Sequence, residues 1–165
     1  MTKFNIVDDG YSAELVHGAK FMGALEIPSI KRPDKILIPE SLIPFTQVLR
    51  SNGHKEAVHF YEHDFRFADV LSHTKQHLGE LSAFQAVISP DCSLYRDMPL
   101  CLQISNTYMS RAVGHYLQTQ GLYVIPNVRW GDERSYTTVE LPERFAFLGV
   151  DKHSIVAIST YGCKE

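Results

Sequence analysis

Four short apolar runs, AVHFY (57–61), AVISP (86–90), YVIPNV (123–128) and SIVAIS (154–159), limit the folds open to this chain. Each is too short for a packed helix and most are rich in Val and Ile, the composition of a buried strand. The segments between them read as helical or mixed. FRFADVLSHTKQHLGELSAF (65–84) follows Asp64, an N-cap candidate, and brings Phe67, Val70, Leu71, Leu78 and Leu81 near one face. A second helix is expected from Met98 to about Gln120, with Asp97 as N-cap, Pro99 in its first turn and Gly121 as its stop. Strands alternating with helices in this way form βα units joined by right-handed crossovers. The sequence therefore predicts an α/β fold with a largely parallel sheet, either an open doubly wound sheet or a partial barrel.

Before these units, IPSIKRPDKILIPESLIP (27–44) carries four prolines and reads as an extended, turning arm. We expect one α/β domain over 1–165, on which an N-terminal segment, 1–45, packs with this Pro-rich arm. At 165 residues, 44% hydrophobic and 21% charged, the chain has globular proportions. Its net charge of −3 argues against a generally basic nucleic-acid binder and leaves only a local contact open. No apolar stretch is long enough to cross a bilayer, and MTKFNIVDDG is not a signal peptide, so a cytoplasmic protein with no membrane partner is expected. Three widely spaced cysteines, Cys92, Cys101 and Cys163, fit reduced thiols better than disulfides or a zinc motif.

Parallel sheets bind ligands beyond the carboxyl ends of their strands. The exits here are Glu62, His63 and Asp64; Asp91, Cys92 and Ser93; Asn127, Arg129, Trp130 and Asp132; and Thr160, Tyr161, Gly162 and Cys163. The third is the densest: VIPNVRWGDERSY (124–136) places two arginines, two carboxylates and the only Trp directly after an apolar strand. The second helix adds Gln103, Asn106, Thr107, Ser110, Arg111, Gly114 and Gln118 on one face. That face has almost no charge, so it either lines a pocket or hydrogen-bonds to neighbouring loops. Arg96, Arg111, Arg129 and Arg134 can converge on a phosphate or carboxylate in bidentate fashion, and Trp130 can stack on a planar group. The same arginines can instead be neutralised by Asp91, Asp97, Asp132 and Glu133 in a structural ion-pair network.

The strings ISPDCSLYRDMP, QISNTYMSRAVGHYLQTQG, VIPNVRWGDERSY and SIVAISTYGC together resemble an uncharacterised family of prokaryotic proteins, a domain of unknown function common on phages and other mobile elements. The resemblance covers roughly residues 25–163. It implies a prokaryotic or phage origin and gives weight to Asp91, Tyr95, Arg96, Asp97, Asn106, Arg111, Asn127, Arg129, Trp130, Gly131 and Asp132, but it brings no established activity. Family members usually continue past the Gly-Cys with a further helix and strand. The shorter end here is expected to leave a sheet edge on which the chain can form a homodimer.

Three functional expectations follow. The first is binding of a small anionic ligand, a nucleotide or sugar phosphate, by Tyr95, Arg96, Asn106, Arg111, Asn127, Arg129 and Trp130. Asp91, Asp97 and Asp132 are then available for hydrolytic or transfer chemistry. In the bland reading, Asp91 is a turn carboxylate and Asp97 a helix cap. The second is an accessory protein that binds a host or phage protein or nucleic acid. The third is a metal-dependent phosphodiester enzyme in which the same three aspartates hold magnesium. The spacings His59/His63 and His73/His77 lack the further ligands a zinc site needs, so no metal site is predicted. Cys163 has no local histidine to activate it. No Gly-rich phosphate-binding string is present, and no motif points to a particular cofactor.

Overall fold

The computed structural model describes residues 11–51 and 55–161. Its centre is a four-stranded, wholly parallel sheet of β3 (Ser41–Pro44), β4 (Glu56–His59), β5 (Ala86–Ile88) and β6 (Val124–Ile125), in that order across the sheet. The order follows the chain without reversal, so the strands are singly wound and the sheet has no crevice at a reversal point. A short antiparallel pair, β1 (Phe21–Met22) and β2 (Ile27–Pro28), precedes it. The last four residues of the proline-rich stretch form β3, at an edge of the sheet where a proline costs no ladder hydrogen bond.

Side chains alternate between the two faces as strand geometry requires. Ile43, Val58 and Val87, then Val124, are cross-strand partners in one row. They join the main core with Phe60, Phe67, Val70, Leu81, Val113 and Leu117. The opposite face is a smaller cluster of Ala57, Ala86, Ile88 and Ile125, covered by Tyr61, Tyr123, Ile155 and Ala157.

The β4–β5 crossover is not the single helix expected over 65–84. It breaks into 3-10 turns and two short helices, α1 (Ala68–Ser72) and α2 (Leu78–Leu81). Ser72 Oγ donates to the Ala68 carbonyl at 3.2 Å and Thr74 Oγ1 to the Val70 carbonyl at 2.7 Å. These side-chain bonds compete with the backbone ladder for the same acceptors. Nor does Asp64 cap a helix: its carboxylate accepts from Ser93 N at 3.0 Å and Ser93 Oγ at 2.6 Å, tying the crossover to the β5 exit.

The β5–β6 crossover is α3 (Leu100–Thr119). Its C-terminus closes as the sequence indicates, with Gly121 N donating to Gln118 O and Leu122 N to Leu117 O. Its start differs: Pro99 is the capping residue, and Asp97 is exposed with no capping bond. A turn in which Met98 N donates to Tyr95 O delivers the chain to Pro99 instead. The polar face of α3 points inward, with Gln103, Thr107, Ser110 and Arg111 all buried. The fourth apolar run forms no strand. It touches the sheet through one parallel bridge, Ala157 to Asn127, and leaves Val156 and Ile158 exposed. No helix among the described residues is long and apolar enough to cross a membrane.

Candidate functional site

The exits of β5 and β6 meet in a buried polar network. Asp91, 2% exposed, accepts from Asn127 Nδ2 at 2.7 Å and from Arg129 Nη1 at 2.6 Å. Asn127 in turn accepts from the Tyr61 hydroxyl at 3.1 Å, and its backbone N–H donates to Ser89 Oγ at 2.9 Å. Burial pushes the Asp91 carboxyl up to about 6, against the pull of Arg129 and Asn127 in the other direction, and nearby Asp64 adds to the rise. Burial also raises the Tyr61 phenol, with Asp91 adding to it.

Arg111 completes this network without touching a carboxylate. Its Nη1 donates to Asn127 O at 2.6 Å, Nε to Leu148 O at 2.9 Å and Nη2 to Ala146 O at 3.0 Å. One planar fork thus clamps the end of β6 to the 3-10 turn Phe145–Phe147 and the residue after it. Burial lowers its pKa to about 10, which still leaves it charged at neutral pH. Gly149 packs across its aliphatic stem: a Cβ there would lie 2.9 Å from Arg111 Cγ and collide with the Pro28 carbonyl oxygen.

The space within this arrangement is small. A hollow lined by Asn106, Ser110, Arg111, Asn127 and Arg129, among others, has a volume of about 10 Å³, enough for one water-sized atom. Asn106 faces it with its amide bound to Ser93 O at 2.6 Å. Arg129 is only partly satisfied. Its Nη1 serves Asp91 and, at 3.3 Å, the Tyr161 carbonyl, while its buried Nε has no partner.

The other expected site residues lie elsewhere. Tyr95, Arg96 and Asp97 are exposed on the turn before α3. Asp132 caps α4 (Glu133–Tyr136), accepting from Arg134 N at 2.9 Å and from its guanidinium at 2.7 and 3.0 Å. The Arg134 hydrogen bonds, with help from Gln103, hold its carboxyl well below the usual carboxylate range. Asp91, Asp97 and Asp132 therefore do not converge, and among the described residues no three His, Cys, Asp or Glu side chains are grouped to hold a metal ion. Gly162 and Cys163 lie outside the described residues.

Trp130 faces a different space. Gly131 lets the chain pass so close to α3 that a Cβ would sit 2.5 Å from Gln103 Oε1 and 2.9 Å from the Tyr95 carbonyl. The turn delivers Trp130 beside α4 and the 3-10 turn that Arg111 clamps. There Trp130, Tyr136, Arg144 and Phe147 line an open groove of about 340 Å³. Its three rings are 40%, 42% and 47% exposed. Among the described residues the Arg144 guanidinium has no hydrogen-bond or ion-pair partner. Tyr136 was within reach of sequence reasoning, since it ends the string that holds Trp130. Arg144 and Phe147 carried no such signal, because a carbonyl clamp from a distant helix brings them there.

Fold and site together define an α/β protein built on a singly wound parallel sheet, with a buried polar network at the strand ends and an aromatic groove outside it. Residues 19–165 match the family model described as Domain of unknown function (DUF4417), and the chain belongs to that family. The phage association is borne out by relatives. The chain is 36% identical over 109 residues to a Gene 1 protein of Mycobacterium phage D29, and 32% identical over 147 residues to a Gene 1 protein of Mycobacterium phage L5. These alignments take in 66% and 86% of this chain but only 38% and 59% of the relatives. No solved structure matches.

Proposed function

We propose that this chain binds a small anionic ligand in the groove of Trp130, Tyr136, Arg144 and Phe147. The observation that carries this reading is an unpaired guanidinium lining a hollow of ligand size. At about 340 Å³ the groove falls within the usual range for small-molecule sites, and the arginine is mounted among apolar faces. A planar guanidinium is the side chain best suited to grip phosphate or carboxylate oxygens.

The inner residues support the groove from behind. Arg111 fixes the turn that carries Arg144 and Phe147, and Arg129 and Asp91 fix the end of β6 from which Trp130 projects. The proposal assigns no reaction, since among the described residues no carboxylate, histidine or cysteine lines the groove. Thermal unfolding of the full chain, measured with inorganic phosphate and with a panel of phosphorylated metabolites, tests it. At least one anion is expected to raise the midpoint, and Arg144→Gln to remove the rise. A midpoint that no anion moves, or a rise that survives Arg144→Gln, overturns the reading.

A further inference from the structure

The groove's lining selects among anions. Three of its four lining side chains are aromatic, and among the described residues none of the three rings stacks on another ring of the protein. Each of the three keeps 40–47% of its surface exposed. The sites for hydrogen bonding are few: the indole N–H of Trp130, the phenol of Tyr136 and the fork of Arg144. A sugar phosphate buries many hydroxyls, each of which costs free energy if it loses water without gaining a partner. The lining side chains supply few donors and acceptors to satisfy them. A nucleobase makes the opposite demand: it needs flat apolar faces, and stacking on an aromatic side chain is worth about 1–3 kcal/mol per base.

We infer that the ligand is a free nucleotide, its base stacked in the aromatic groove and its phosphate on Arg144. The inference rests on the reading of the groove as an anion site and narrows it from phosphorylated ligands in general to those with a planar heterocycle. The net charge of −3 also favours a single nucleotide over a strand, because strand binders usually carry an excess of Lys and Arg to neutralise successive phosphates.

Trp130 is the only tryptophan in the chain, so all the indole fluorescence comes from a residue that lines the groove. Excited at the red edge of the indole band, it is titrated in the full-length protein with each of the four ribonucleoside monophosphates. Parallel titrations use ribose 5-phosphate, inorganic phosphate, adenosine and a short single-stranded oligonucleotide. At least one nucleoside monophosphate is expected to quench saturably and to bind about tenfold or more tighter than ribose 5-phosphate, since the base adds a stacking contact. Arg144→Gln is expected to weaken that nucleotide about tenfold while leaving adenosine unaffected, since only the phosphate loses its partner. Ribose 5-phosphate that binds as tightly as every nucleotide overturns this inference but leaves the anion site standing. No response to any anion removes both. Binding of the oligonucleotide without binding of any mononucleotide overturns the free nucleotide in favour of a strand.

Discussion

Arg111 and Arg144 are the same residue type in opposite circumstances, on either side of one 3-10 turn. Arg111 is 2% exposed and donates to three backbone carbonyls, two of them on the segment that Arg144 begins. Arg144 is exposed, and its guanidinium binds nothing among the described residues. A buried guanidinium is tolerated only when its donors are spent on protein acceptors, and once spent they are not available to a ligand. The difference teaches that the most conspicuous arginine in a sequence motif is a poor guide to which guanidinium is left free by the fold. Satisfaction of donors, not proximity to the motif, separates the clamp from the candidate gripping residue.

The largest effect is expected from Arg111→Ala. Three carbonyls, two of them buried, lose their donors and a cavity opens beneath the turn, a combination that costs about 3–5 kcal/mol. Urea unfolding of the variant measures this directly. A loss below about 1 kcal/mol breaks the comparison, because Arg111 is then no clamp.

The Asp91 carboxyl sharpens the same contrast through pH. Its folded value of about 6 lies above the ordinary 3.8, so the folded state holds the proton more tightly than the unfolded chain does. Its contribution is therefore fully present below about pH 4 and is lost as pH rises through 6, a change of up to about 3 kcal/mol at 1.36 kcal/mol per unit. Stability against pH should fall more steeply between pH 4 and 7 in the natural chain than in Asp91→Asn. Parallel curves refute the assignment. His77 tilts the profile the same way: burial alone lowers its pKa, but Glu80 and Asp69 raise it overall, so its contribution too fades as pH rises through its folded value.

A smaller loss, about 2 kcal/mol, is expected for Gly149→Ala. Its φ of +76° disfavours any side chain, and the added methyl collides with the Pro28 carbonyl and crowds the Arg111 stem. Chemical denaturation checks it, and an unchanged midpoint means that the turn shifts freely over the clamp.

How much of this was legible in the sequence follows from what each residue contacts. Strands β4, β5 and β6 and the end of α3 depend on local pattern and local turn chemistry, and both were readable: Val124 and Ile125 are buried as an apolar run should be, and Gly121 closes its helix through neighbouring residues. β3 was hidden by Pro39 and Pro44, which an edge strand tolerates and a central one does not. The broken crossover was hidden because Phe67, Val70 and Leu81 keep a helical spacing, while Ser72 and Thr74 divert the carbonyls a continuous helix would use. At the candidate site, the string around Arg129 and Trp130 pointed to the exit of β6 but not to the division between buried and exposed arginines there. Whether an arginine faces carbonyls or solvent depends on segments far apart in sequence, such as Leu148 and Arg111, and no local spacing encodes that.

The smallest expected effect is on the stability of Arg144→Gln, and it bears most directly on the comparison. If Arg144 is poised for a ligand, the unliganded protein makes no use of its guanidinium, and removing the charge should change the unfolding free energy by no more than about 0.5 kcal/mol, as for other exposed positions. Its chain neighbour Glu143 is no hidden partner, being engaged with the Ala24 backbone N–H at 2.9 Å. Gln preserves much of the side chain's apolar stem, so packing against Phe147 or Trp130 is not the variable being tested. Urea unfolding without added anion isolates the structural contribution, and repeating it with phosphate isolates the ligand's. A loss of about 2 kcal/mol without anion places Arg144 in the same structural class as Arg111, and the contrast between the two arginines collapses. An unchanged curve without anion, together with a lost response to it, assigns the guanidinium to the ligand.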